Sequence, residues 1–188
     1  MRTLFLLVIL ATSLTLNAQI TERNWIVGGS GSFTSSTAIS EDTSGREIQS
    51  KATGIALDPN IGYFLMDKFA VGLDMGIGFS NPPERNNSNW SLGIGPFVRY
   101  YFLKSENLIN LFSEANFLYS TGLSKINGDR TSTRFGLSTG GVLFFNSSVG
   151  LELSLNYTDT TSKRDGLFDS EFKDFFVGLG FQIHLENR

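Results

Sequence analysis

The sequence predicts an all-β chain of eight antiparallel strands closing into an up-and-down barrel. Three observations predict it. Stretch after stretch alternates strictly between bulky apolar residues and small or polar ones, a period of two that belongs to strands and not to helices. The connections between these stretches alternate long and short along the chain. A single plan repeats without a composition break or linker, so the 188 residues read as one structural unit behind a leader.

The leader comes first. Arg2 precedes the apolar run Leu4 to Ala11, and a more polar stretch ends at Leu16-Asn17-Ala18. A basic start, a short apolar middle and a small residue at the cut describe a secretory signal, so residues 1–18 are expected to be removed and 19–188 to form one barrel domain. The apolar run is shorter than the roughly 20 residues a membrane-spanning helix needs. If the mature chain enters a membrane, it does so as strands.

Strand one is expected from about Asn24 to Thr34, with Trp25, Val27, Gly29, Gly31 and Phe33 on its apolar face. Strand two, about Lys51 to Phe64, sets Ile55, Leu57, Pro59, Ile61 and Tyr63 against Gly54, Ala56, Asp58, Asn60 and Gly62. The alternation is cleanest in strand three, Phe69 to Ser80. There Phe69, Val71, Leu73, Met75, Ile77 and Phe79 oppose Ala70, Gly72, Asp74, Gly76, Gly78 and Ser80. Strand four runs from Trp90 to Phe102, with Arg99, Phe97 and Tyr101 on the non-apolar side. In strand five Leu111, Ser113, Ala115, Phe117 and Tyr119 oppose Phe112, Glu114, Asn116 and Leu118. Strand six sets Phe135, Leu137, Leu143 and Phe145 against Arg134, Gly136, Ser138 and Gly140. Strand seven sets Val149, Leu151, Leu153, Leu155 and Tyr157 against Gly150, Glu152, Ser154 and Asn156. In strand eight Phe175, Val177, Leu179, Phe181, Ile183 and Leu185 oppose Phe176, Gly178, Gly180, Gln182 and His184. Long polar loops are expected at Ser35–Gln49, Asn81–Asn89, Gly122–Asp129 and Thr158–Glu171. Tight turns are expected at Met66-Asp67-Lys68, Lys104–Asn107 and Asn146-Ser147-Ser148.

Parity alone does not say which face is inside. A water-soluble barrel that carries apolar cargo, of the lipocalin kind, alternates too, with its apolar side chains inward. Three features argue for apolar outside. The non-apolar face is crowded with Gly and Ser, which suits a cramped lumen, whereas a wetted surface carries many Lys and Glu. Charges gather in loops and turns and leave the apolar faces free, as expected where a charge at the bilayer midplane costs about 2–4 kcal/mol. Aromatics collect at both ends of the apolar strips: Trp25, Tyr63, Phe69, Phe79, Trp90, Tyr100, Tyr119, Phe135, Phe145, Tyr157 and Phe175. Ten residues separate Phe69 from Phe79, Trp90 from Tyr100, and Phe135 from Phe145. At about 3.3 Å per residue and a tilt of about 40°, that spacing spans roughly 25 Å, the height of an outer-membrane apolar band. Trp and Tyr prefer its two interfaces. The expected location is therefore the outer membrane of a Gram-negative type of cell, with membrane lipids as partners, short turns in the periplasm and long loops outside.

The chain resembles the small eight-stranded outer-membrane barrel family, the OmpA-transmembrane-domain and OmpX type, in the bare-barrel form common in Bacteroidetes. Leu57-Asp58-Pro59-Asn60-Ile61-Gly62-Tyr63-Phe64-Leu65 followed by Phe69-Ala70-Val71-Gly72-Leu73 is similar to the family's second hairpin, and the likeness runs from Trp25 to Leu185. It implies a transmembrane barrel and leaves the activity open, since such barrels serve as structural proteins, adhesins, enzymes and receptors. The chain departs from the family in two ways. It stops after strand eight, without the peptidoglycan-binding domain of OmpA, and it ends Leu185-Glu186-Asn187-Arg188 where the family often ends on an aromatic.

The lumen face carries Asp58, Asp74, Arg99, Glu114, Arg134 and Glu152. Buried ions must be paired or solvated, so an internal polar network is expected, with Arg99 and Arg134 bridging the carboxylates and Arg99 near Glu114 across a short turn. Eight strands leave room for little but side chains, which favours filling over an ion path. Composition excludes several classes. There is no cysteine, hence no disulfide, thiol nucleophile or thiolate metal site, and a net charge of −3 offers nothing to nucleic acid. No metal-ligand spacing appears, and no cofactor is expected. The lone His184 has no Ser and acid placed beside it, so catalysis is not expected. Gly28-Gly29-Ser30-Gly31 lies in a strand and so is not a phosphate loop. The loop charges at Glu41–Arg46 and Lys163–Gly166 leave a surface ligand open without naming one. The reading is a non-enzymatic integral barrel with a structural or surface-interaction role. A narrow pore or transport accessory, and then a secreted lipocalin-like carrier, stand behind it.

Overall fold

The computed structural model describes residues 20–41, 47–81, 89–123, 130–164 and 169–186; the proposed signal at 1–18 lies outside them. Eight strands follow one another: β1 (Trp25–Glu41), β2 (Glu47–Met66), β3 (Phe69–Asn81), β4 (Asn89–Tyr101), β5 (Ile109–Leu123), β6 (Arg130–Phe144), β7 (Val149–Arg164) and β8 (Ser170–Leu185). Each pairs antiparallel with the next, and β1 meets β8 to close the barrel.

The apolar faces point outward. Leu73, Val98, Leu153 and Leu179 are 47, 43, 58 and 60% exposed, which excludes the inverted barrel of a soluble carrier. A continuous skin of Leu, Ile, Val and Phe on every side is far larger than the apolar patches soluble monomers show, and it requires a bilayer. Inside, the alternate residues are mostly small or polar, with a cluster of buried aromatics toward the turn end.

One end of the barrel carries the tight turns. Lys68 adopts a left-handed conformation (φ 69°) between β2 and β3. Asn146 Oδ1 accepts from the backbone N–H groups of Ser148 and Val149, both at 2.8 Å, bending β6 into β7 as an Asx turn. Asn110 does similar work between β4 and β5, accepting from Leu103 N–H at 3.0 Å and donating to the Lys104 carbonyl at 3.1 Å.

At the opposite, loop end the strands run further than expected. The segment expected as a loop over Ser35–Gln49 is mostly ladder, with β1 pairing β2 as far as Glu41↔Glu47. Likewise Thr158–Arg164 belongs to β7 and pairs with β6 up to Arg130↔Arg164. The reason is local. Ser- and Thr-rich segments such as Ser32–Ser40 and Thr158–Ser162 satisfy their backbone in a sheet as readily as in a loop, and Thr favours strands. Of the charged loop segments, Glu41, Lys163 and Arg164 are strand residues, while 42–46 and 165–168 lie outside the described residues.

The ladders have gaps. Proline has no N–H to donate. Around Pro59 the β2–β3 pairing skips from Leu57↔Ile77 to Asn60↔Asp74, and around Pro96 the β4–β5 pairing skips from Ile94↔Tyr119 to Phe97↔Asn116. The larger interruption is at the closing seam. β1 pairs with β8 only from Trp25↔Leu185 to Ser30↔Gly180, although both strands continue well beyond toward the loop end.

Candidate functional site: the lumen

The lumen has a floor and a chamber. The floor, at the turn end, is built by the bulky residues of the inward parity. Phe64, Phe97, Tyr101, Phe112, Val142 and Phe144 are buried there with Ile26 and Ala70. Rings pack edge and tilt: Phe64 lies 6.0 Å and Phe112 6.2 Å from Tyr101, centroid to centroid. Close packing needs small partners. A Cβ on Gly62 would stand 2.7 Å from Phe97 Cζ, so glycine there gives the Phe97 ring its space. The segment before β1 tucks beneath. Ile20 is fully buried, and its carbonyl accepts from Lys68 N–H at 2.9 Å. Arg23 N–H donates to the Phe64 carbonyl, and Phe64 N–H to the Asn24 carbonyl, each at 2.9 Å.

His184 sits in this floor, with ring centroids 5.3 Å from Phe144, 5.7 Å from Phe64 and 5.9 Å from Tyr101. Enclosed by aromatic rings and inaccessible to solvent, it has no route to a substrate. Among the described residues no group of three His, Asp or Glu side chains is placed to hold a metal ion.

Above the floor lies a charged triad. Arg99 Nε donates to Glu114 Oε2 at 2.7 Å, and Arg99 Nη1 donates to Glu152 Oε1 at 2.5 Å and to the Tyr101 hydroxyl at 3.2 Å. The side chains are almost fully buried. The guanidinium carbon also stands 4.5 Å from the centre of the Phe112 ring, a cation–π contact that joins triad to floor. Glu114 is the direct cross-strand neighbour of Arg99. Glu152 reaches it across the lumen from β7, which no local spacing announces.

The remaining expected lumen charges lie higher. Arg134 Nη2 meets Asp58 Oδ1 at 3.3 Å, with both side chains about a third exposed. Asp74 departs from the expected bridging by arginine: its carboxylate Oδ2 accepts from Asn116 Nδ2 at 2.8 Å. Parity put Asn116 on the lumen face but gave no sign that a neutral amide, and not an arginine, would hold this acid. Ser138 donates to Asn156 Oδ1 at 2.6 Å, and Asn156 donates to Ser154 Oγ at 2.9 Å. These groups line a chamber of about 250 Å³.

The aromatics sort by end. Trp25, Tyr63, Phe69, Tyr100 and Phe145 lie where strands meet the turn end, and Phe79, Trp90, Tyr119, Phe135, Tyr157 and Phe175 lie toward the loop end. Neighbours stack edge to face, Trp25 on Tyr63 at 5.1 Å and Phe79 on Trp90 at 5.0 Å. Beyond the upper row, at the exposed loop end, Lys173 contacts Glu171 at 2.9 Å and Asp159 at 3.7 Å. The Glu171 hydrogen bond, with the charges of Glu171 and Asp159, holds the Lys173 ammonium above its ordinary value.

No protein-family model matches the chain, and no curated protein sequence does. Solved structures do. Neisserial surface protein A is similar over 85% of this chain and 96% of its own, with 14% identity and a TM-score of 0.57. The N-terminal β-barrel domain of Pseudomonas aeruginosa OprF matches 88% of this chain and 99% of its own at 14% identity and a TM-score of 0.51. The outer membrane protein OprG of the same organism matches 90% and 100% at 13% identity and a TM-score of 0.50. This chain therefore has the fold of the small eight-stranded outer-membrane β-barrels.

Proposed function

We propose that the protein is an integral outer-membrane barrel with no enzymatic activity, serving envelope structure or surface interaction, and that its lumen is sealed. The observation that carries this reading is the stack of the Arg99–Glu114–Glu152 triad on the aromatic floor. Ions need a continuous wet path, and a dry floor capped by a satisfied ion cluster supports none. The outward apolar skin and the two rows of aromatics support lipids as the barrel's surroundings. The turn end is assigned to the periplasm and the loop end to the outside. Loops on a rigid barrel are where a surface partner would bind.

Conductance of the refolded protein in a planar bilayer tests the sealed lumen. The expected trace shows no discrete steps. Reproducible single-channel openings would overturn the reading in favour of a narrow pore.

A further inference from the structure

The closing seam stops halfway. Had the register from Ser30↔Gly180 continued, Phe33 would face Val177; instead both strands go on without pairing. Both edges are exposed on both faces: β1 from Ser30 to Ser35 and β8 from Ser170 to Val177. Phe33, Phe175 and Val177, at 69, 71 and 64%, are the most exposed large apolar side chains among the described residues. Phe175 stands in the upper aromatic row, so Val177 to Leu179 of the open edge lie below it in the upper part of the apolar band, and Ser170 to Asp174 lie beyond it. Unpaired backbone in hydrocarbon is tolerated only where it lines a wet cavity, and the chamber does reach both edges, touching Gly31 and Ser32 on one side and Gly178 and Leu179 on the other.

The chamber also holds polar atoms without partners. Asn60, only 8% exposed, has a buried Oδ1 with none, and so does Asn116 Oδ1. Both amides flank Asp74, Asn60 as its cross-strand neighbour and Asn116 by hydrogen bond. Asp74, Asn60 and Asn116 all line the chamber, and the two amide oxygens add unpaired acceptors to the carboxylate. Nearer the loop end, Arg134 Nε is a buried donor without an acceptor. A group with three N–H donors fits the first cluster and an anion fits the second.

We propose that the chamber binds the head of a phospholipid bearing a primary ammonium and a phosphate, which enters sideways from the bilayer through the open β1–β8 seam. The ammonium donates to Asp74, Asn60 and Asn116, the phosphate accepts from Arg134, and the acyl chain leaves between Phe33 and Val177 into the outer leaflet. The site lies above the floor and goes beyond the sealed-barrel reading, since it needs no path to the periplasm.

The test uses the whole barrel in phosphatidylcholine nanodiscs, with the side-chain amide NMR signals of Asn60 and Asn116 as readout. Lysophosphatidylethanolamine, lysophosphatidylcholine and lysophosphatidylglycerol of equal chain length are titrated in turn. The expected result is a saturable shift with the ethanolamine lipid at least tenfold tighter than with the other two, weakened at least tenfold in Asp74→Asn. Equal responses to all three lipids, or none, would overturn the head-group assignment. Entry is tested with cysteine pairs, the native chain having no cysteine. Val27→Cys with Ile183→Cys lies in the paired part of the seam and should cross-link on mild oxidation. Phe33→Cys with Val177→Cys should resist it, and any cross-linked fraction should lose the lipid response until reduced. A Phe33–Val177 pair that closes as readily as the control and still binds would overturn the sideways route.

Discussion

Arg99 is the residue on which the lumen turns. It pairs with two carboxylates, and all three side chains are almost fully buried. Removing one partner of a buried ion cluster strands the others, a loss of about 3–5 kcal/mol. Arg99→Gln is therefore expected to lower unfolding stability in urea by about that amount. Changing Glu114 and Glu152 to Gln in the same chain should recover most of it, because no buried charge then remains. Gly62 is a second sensitive position. A methyl there collides with Phe97, and overpacking of this kind costs about 1–3 kcal/mol. Gly62→Ala should be destabilising by that much in the same unfolding assay, and the loss should shrink when Phe97 is trimmed to Leu. Residue-level facts were unevenly legible. The Arg99–Glu114 contact follows from parity and a short turn, both readable in the chain. The Glu152 contact crosses the lumen from β4 to β7 and exists only because the sheet closes, while Asn116 reaches Asp74 over the intervening β4, where the pairing partner of Asp74 is Gly95.

At the scale of the element, parity was the readable signal, because a lipid face and a lumen face impose opposite side-chain chemistry on alternate positions. Ladder length beyond the band was not readable. Once a strand leaves hydrocarbon the contrast between its two faces fades from the sequence, as it does from Thr34 to Ser40, yet backbone pairing continues. The aromatic floor was half legible: Phe97, Tyr101 and Phe112 show inward parity, but Ile20 joins from a segment with no periodicity at all. Two substitutions test the elements. Leu153→Arg, on the outward face of β7, should lower stability in lipid by about 2–4 kcal/mol, whereas a polar residue at the inward Ser154 should be tolerated. Asn146→Ala removes the acceptor for two turn N–H groups and should cost about 1 kcal/mol, read as a lower urea midpoint with an unchanged slope.

The molecule as a whole divides into a closed lower half and a laterally open upper half. The lower half is closed by the β1–β8 pairing, the aromatic packing and the buried triad. The upper half has the interrupted seam, the small residues Gly31, Gly178 and Gly180, and a chamber lined by polar side chains. Both halves depend on one orientation of the ribbon, apolar side to lipid and polar side to lumen. Spin labels placed singly at Leu151, Glu152, Leu153, Ser154, Leu155 and Asn156 of the refolded barrel in bilayers measure that orientation directly. Collision with dissolved oxygen, which concentrates in hydrocarbon, should be high at the three leucines and low at Glu152, Ser154 and Asn156, which alternate with them. A profile with the opposite phase, or one with no period of two, would contradict the account.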